Sequence, residues 1–96
     1  MFVCVIKVRL HIFATHSLKE KRSVIKSLLR RTQQKFSLSI AEVGDNELWQ
    51  SSIVGIAIVG NNKRLLEREM EKVLAFMEQD SEFEIVEIQH EIWSFR

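Results

Sequence analysis

SLSIAEVGDNELWQSSIVGIAIVG, residues 37–60, is the stretch on which the fold turns. Its opening SLSIAEV alternates Leu38 and Ile40 with Ser37, Ser39 and Ala41, the period of two of a strand with one buried face. GDNELWQ then supplies Gly44, Asp45 and Asn46, residues that tolerate turn geometry. The apolar run SSIVGIAIVG that follows reads as another strand. Two strands in direct succession sit at the centre of the chain, so the elements on either side decide the topology.

On the N-terminal side the period is helical. Leu18, Ile25, Leu28, Leu29, Thr32 and Phe36 fall on one side of a helix at about 100° per residue. Before it, residues 2–13 are rich in Val, Ile and Phe and place Cys4, Ile6, Val8, Leu10 and Ile12 on one face of a first strand. On the C-terminal side, Asn61 or Asn62 is suited to cap a second helix whose Leu66, Met70, Val73, Leu74 and Met77 share a face. FEIVEIQHEIWSF, residues 83–95, is the last strand. The order is βαββαβ, with one βαβ unit in residues 1–48 and another in 49–96. The expected architecture is α+β: a ferredoxin-like split βαβ sandwich, with a four-stranded antiparallel sheet, strands one and three in its middle and two helices on one face. The sequence has no Pro, no linker and no low-complexity segment, so residues 1–96 read as a single domain.

Ninety-six residues suffice for one core. No apolar run approaches the roughly 20 residues of a membrane span. FVCVIKVRLHIF is interrupted by Lys7, Arg9 and His11 and lacks a small-residue cleavage site, so a cytoplasmic protein is expected. The lone cysteine, Cys4, reads as a buried structural thiol rather than a nucleophile.

Charge is distributed unevenly. The formal net charge is only +1, yet residues 16–35, HSLKEKRSVIKSLLRRTQQK, hold seven Lys and Arg against one Glu. Ser17 with Glu20 three residues on forms a capping box, so HSLKE has a structural explanation. Lys19, Arg22, Lys26 and Arg30 recur at intervals of three, four and four and lie within about 80° of one another, beside the apolar face rather than opposite it. Lys21, Arg31 and Lys35 lie elsewhere, which makes the whole solvent side positive. No acid follows Glu20 in the helix, so the i,i+4 pairs that normally neutralise a surface helix are missing. The acidic excess of the second half sits mainly in Glu82, Glu84, Glu87 and Glu91, next to Lys7 and Arg9 of strand one, where those charges can satisfy one another. The stripe is then left for a polyanion.

No Gly-rich phosphate loop, HExxH or CxxC is present. His11, His16 and His90 lack the spacing and supporting acids of a metal site, and Glu42, Asp45 and Glu47 read as turn chemistry, so neither a metal nor a cofactor is expected. Trp49, just past the turn, either lids the core or presents a stacking surface, and the lid is the favoured reading. Strand three holds no aromatic residue for base stacking of the kind that central strands of this fold supply to RNA. The alternating Val54, Ile56, Ile58 and Ile53, Ala57, Val59 of strand three, with Val3 and Val5 of strand one, make both sheet faces apolar. A face left to water normally reads polar, so a second copy is expected to cover part of it, giving a homodimer.

HSLKEKRSVIKSLLRR, FSLSIAEVGDNELWQ and GIAIVGNN, in that order and over nearly the whole chain, resemble the YlxP-like family of small bacterial proteins. The resemblance implies a ferredoxin-like fold and a cytoplasmic bacterial protein from a family catalogued as a domain of unknown function. Its genes tend to lie beside those of translation initiation and ribosome maturation factors, which implies an association with ribosomal RNA or its assembly. Ser17, Leu18, Lys19, Lys21, Arg22, Glu42 and Trp49 match the family's motif, without a role attached to any of them. The resulting expectation is a non-enzymatic RNA-binding or ribosome-associated protein acting in ribosome maturation or translation. Its nucleic-acid contacts would be Lys19, Arg22, Lys26 and Arg30, with Trp49 and Lys21 as candidate interaction residues. The alternative is an oligomeric ligand-sensing or assembly domain that binds no nucleic acid.

Overall fold

A computed structural model describes all of residues 1–96. The elements are β1 (Phe2–Ile12), α1 (Leu18–Lys35), β2 (Ser39–Gly44), β3 (Ser51–Gly60), α2 (Lys63–Glu78) and β4 (Phe83–Ser94). The strands form one antiparallel sheet in the order β2-β3-β1-β4. The fold is the expected ferredoxin-like sandwich, with β1 and β3 central and both helices on one face.

The alternation of β1 becomes burial directly: Cys4, Ile6, Val8, Leu10 and Ile12 are all inside. They meet Val54, Ile56 and Ile58 of β3, and α2 lays Leu66, Met70, Val73 and Met77 on the same layer. Gly60, the last residue of β3, makes room for α2, because a Cβ there would displace the Leu66 side chain. Both helices start on side-chain caps. Asn62 accepts from the Leu65 N–H at 3.1 Å, and Ser17 Oγ accepts from the Glu20 N–H at 3.1 Å. The reciprocal arm of the capping box reaches one residue further than expected: Glu20 Oε2 accepts from the N–H of His16 at 2.7 Å.

The two edge strands are irregular at the same level of the sheet. Arg9 and Leu10 face Glu87 and Ile85, which leaves Val86 as an extra residue in β4; Val54 and Ile53 face Glu42 and Gly44, which leaves Val43 extra in β2. Such bulges twist an edge away from strand partners. β4 is also thinly covered by the helices, and Ile88 and His90 on its helix-facing side are exposed. No helix is long and apolar enough to cross a membrane.

Candidate nucleic-acid interface

The seven basic residues of α1 have two different fates. Lys21 is fully buried, and its Nζ lies 2.6 Å from Glu42 Oε2, 2.8 Å from the Asp45 carbonyl and 3.3 Å from that of Asn46. Arg31 pairs with Asp80 at 2.6 Å. Lys35 sits over the rings of Phe36 and Phe76, at 5.9 and 5.1 Å from their centroids. The other four, Lys19, Arg22, Lys26 and Arg30, are exposed. None has a carboxylate within ion-pair distance, since the four such pairs in the molecule belong to Arg9, Lys21 and Arg31. The stripe picked out by spacing is thus the set of helix cations that the fold does not use.

Two expectations about this helix are corrected. Lys21 does not contribute to a positive solvent side. It occupies the middle of the buried arc with Val24, Ile25, Leu28 and Thr32. The intervals Lys21, Ile25, Leu28, Thr32 are four, three and four, so the helical period itself placed Lys21 inward. Its chemical type argued otherwise, because lysine is almost never buried unless paired. With Lys21 and Val24 included, the buried arc is centred about 150° from the stripe, which therefore lies nearly opposite the core rather than beside it.

The buried lysine fastens a loop. Glu42, its partner, also accepts from Ser52 Oγ at 2.6 Å and from Asn46 Nδ2 at 3.3 Å, so every polar atom of the cluster is satisfied. Asp45 turns the chain with φ of 56°, a left-handed conformation that Asp tolerates better than most residues, while its carboxylate takes Arg9 at 2.9 Å and Ser51 at 2.7 Å. Further along, buried Thr15 donates its hydroxyl to the Trp49 carbonyl at 2.8 Å. The backbone of residues 45–49 is therefore pinned to the start of α1 from two sides.

Trp49 is a third correction. It is 53% exposed and does not lid the core. The reason is the pinning: Thr15 holds the Trp49 backbone against the protein, and the ring is left outside beside the exposed Leu48 side chain. Thr15 and Lys21 tie this loop to the N-terminal end of α1, so the exposed Trp49 lies near that end of the helix, on the side of Lys21 rather than on that of the stripe.

The remaining titratable groups are spoken for or apart. Arg9 bridges Asp45 and, at 3.8 Å, Glu87, the one pair of those expected between β1 and β4 that forms; Lys7, Glu82, Glu84 and Glu91 make no ion pair. His11 lies on the open sheet face, packed edge-on against Phe13, whereas His90 lies on the helix-facing side. The sheet separates them. Cys4 is buried with its thiol 3.8 Å from Met70 Sδ, and burial, aided by the charge of Glu67, raises its pKa. It is a structural thiol in an unreactive setting.

The model of a family described as "Protein of unknown function (DUF503)" matches residues 3–90. The chain belongs to this family. An uncharacterized protein, YlxP of Bacillus subtilis (strain 168), is 44% identical over 73 residues, which cover 76% of this chain and 79% of that one. The YlxP-like resemblance seen in the sequence is thereby established. Neither description names an activity, ligand or partner. The residues on which the resemblance was read divide in the structure: Ser17 caps α1, Lys21 and Glu42 form the buried clamp and Leu18 is half-buried, whereas Lys19, Arg22 and Trp49 face solvent. Ser17, Lys21 and Glu42 have structural duties, and Lys19, Arg22 and Trp49 have none.

Proposed function

We propose that this DUF503 protein is a non-enzymatic binder of structured RNA that acts on the ribosomal particle during maturation or translation, in the cytoplasm. The observation that carries the reading is the division of α1. Three of its cations, buried Lys21, half-buried Arg31 and exposed Lys35, are engaged by Glu42, Asp80 and two aromatic rings, while Lys19, Arg22, Lys26 and Arg30 remain exposed without acidic partners on a helix that has one acid in total. A stripe of four like charges about 16 Å long, at 1.5 Å rise per residue, suits successive phosphates. Exposed Trp49, on the loop tied to the start of α1, is a second candidate contact, on which an unpaired base could stack.

Sedimentation with purified ribosomal particles tests this. The wild-type protein should co-sediment at low salt and be released as salt rises, and Lys26→Glu with Arg30→Glu should abolish the association while the protein stays folded. Trp49→Ala should weaken it about tenfold, the effect of losing one stacked base. Association unaffected by the double reversal would show the stripe to be a solvated surface only.

A further inference from the structure

The sheet face away from the helices carries a second, unrelated surface. Across three adjacent strands Val59, Val3 and Trp93 stand side by side, and one step along the sheet Ala57 and Val5 continue the patch. Val59 is 63% and Trp93 55% exposed, unusual values for large apolar groups that point away from a core. The patch is also level. Gly55 has no side chain on this face, and Val43 of the β2 bulge lies across the vacant position, 3.1 Å from where a Gly55 Cβ would be. We infer that this open face is the contact surface of a two-fold homodimer in which two sheets pack against each other.

Size and charge both point to a second copy as the occupant. Three strands of 10 to 12 residues and one of 6, about 4.8 Å apart and at about 3.3 Å per residue, present a flat area of roughly 600 Å², which side-chain relief brings closer to the ~800 Å² that each partner buries in a stable complex. Beside the apolar patch the face carries Lys7, Arg9 and His11 on β1 and Glu84, Glu87 and Glu91 on the neighbouring β4. Both signs occur on one surface, so a second copy related by a two-fold can set the bases of β1 against the acids of β4. Those acids also oppose a polyanion, in contrast to the stripe of α1. Face-to-face packing is a recognised way for antiparallel sheets to bury such a face, at a separation of about 10 Å. It leaves both α1 helices on the outside of the assembly, so each dimer would present two basic stripes on opposite surfaces.

Light scattering of the full chain at high micromolar concentration should return twice the 11.3 kDa monomer mass. Val59→Glu should raise the dissociation constant about a hundredfold or more, because each copy would bury an unpaired carboxylate. Trp93→Glu should do the same, and both residues are exposed in the monomer, so circular dichroism should remain that of the wild type. Val86→Glu, at the outer edge of β4, should leave the dimer intact. A monomer mass at high concentration overturns the inference, as does a dimer that Val86→Glu dissociates and Val59→Glu does not, which would mean edge-to-edge pairing. A Trp49→Phe monomer in which the remaining Trp93 fluorescence is quenched by RNA would assign the face to nucleic acid and overturn it equally. None of these results depends on whether the α1 stripe binds RNA.

Discussion

The two helices cover the same face of the same sheet, begin on the same kind of polar cap and are of similar length, yet their surfaces are built differently. α2 carries Lys63, Arg64, Arg68 and Lys72 against Glu67, Glu69, Glu71 and Glu78, with Lys63–Glu67 at the i,i+4 spacing that stabilises a helix. α1 carries seven cations and one acid. α2 shows what this fold needs from a covering helix: an apolar face and a neutral, mixed solvent side. The excess on α1 is therefore not a requirement of the fold, and it divides into cations drawn into structure and cations left out of it. Mutations that treat the two classes separately put this contrast at risk.

The largest effect is expected inside α1. Lys21→Met should cost about 3–5 kcal/mol in chemical denaturation, since it leaves Glu42 in a largely buried site without its counter-charge. Replacing both members, Lys21→Met with Glu42→Leu, should recover part of that loss, because an apolar pair owes no desolvation. If Lys21→Met costs less than 1 kcal/mol, the division of α1 into internal and external cations fails at its best-defined member. Next in size are the caps, where the helices should behave alike: Ser17→Ala and Asn62→Ala should each cost about 1 kcal/mol. A much larger loss at Ser17 would mean that the start of α1 depends on its cap more than on the Lys21 clamp.

These expectations also show which parts of the molecule were legible in the sequence. The five inward residues of β1, the cap at Ser17, the four buried residues of α2 and the strand order follow from periodicity and local chemistry, which act over a few neighbours. Lys21 was missed because a charged type outweighed a correct helical interval, and its partner Glu42 is twenty-one residues further along the chain. Trp49 was misplaced because its direction depends on the path of residues 45–49, set by contacts from Thr15 and Lys21 that no local pattern reports. β4 was recognised as a strand, but its exposure reflects its edge position and the Val86 bulge, both properties of the assembled sheet. The four outward cations share one exposed side of α1, as their spacing predicts, but lie nearly opposite the core because Lys21 and Val24 extend the buried arc away from them.

The smallest stability effects belong to the exposed residues. Trp49→Ala should cost less than about 1 kcal/mol, as a surface substitution does, and a loss of 3 kcal/mol or more would restore the ring to the core. Lys26→Glu with Arg30→Glu should change stability by no more than about 1 kcal/mol. That double variant should also flatten the salt dependence of folding, because wild-type α1 suffers like-charge repulsion that salt screens, whereas the charge-balanced α2 does not. Equal salt dependence in wild type and variant would mean that the stripe is neutralised within the protein.

The central claim, that the stripe of α1 exists for a polyanion, is tested most directly by the salt dependence of affinity for structured ribosomal RNA. Four phosphate contacts predict a slope of log affinity against log salt of about −3 to −4 for the wild type, and binding too weak to measure once Lys26 and Arg30 are reversed to Glu. A wild-type slope near zero, or one that the double reversal leaves unchanged, would contradict it.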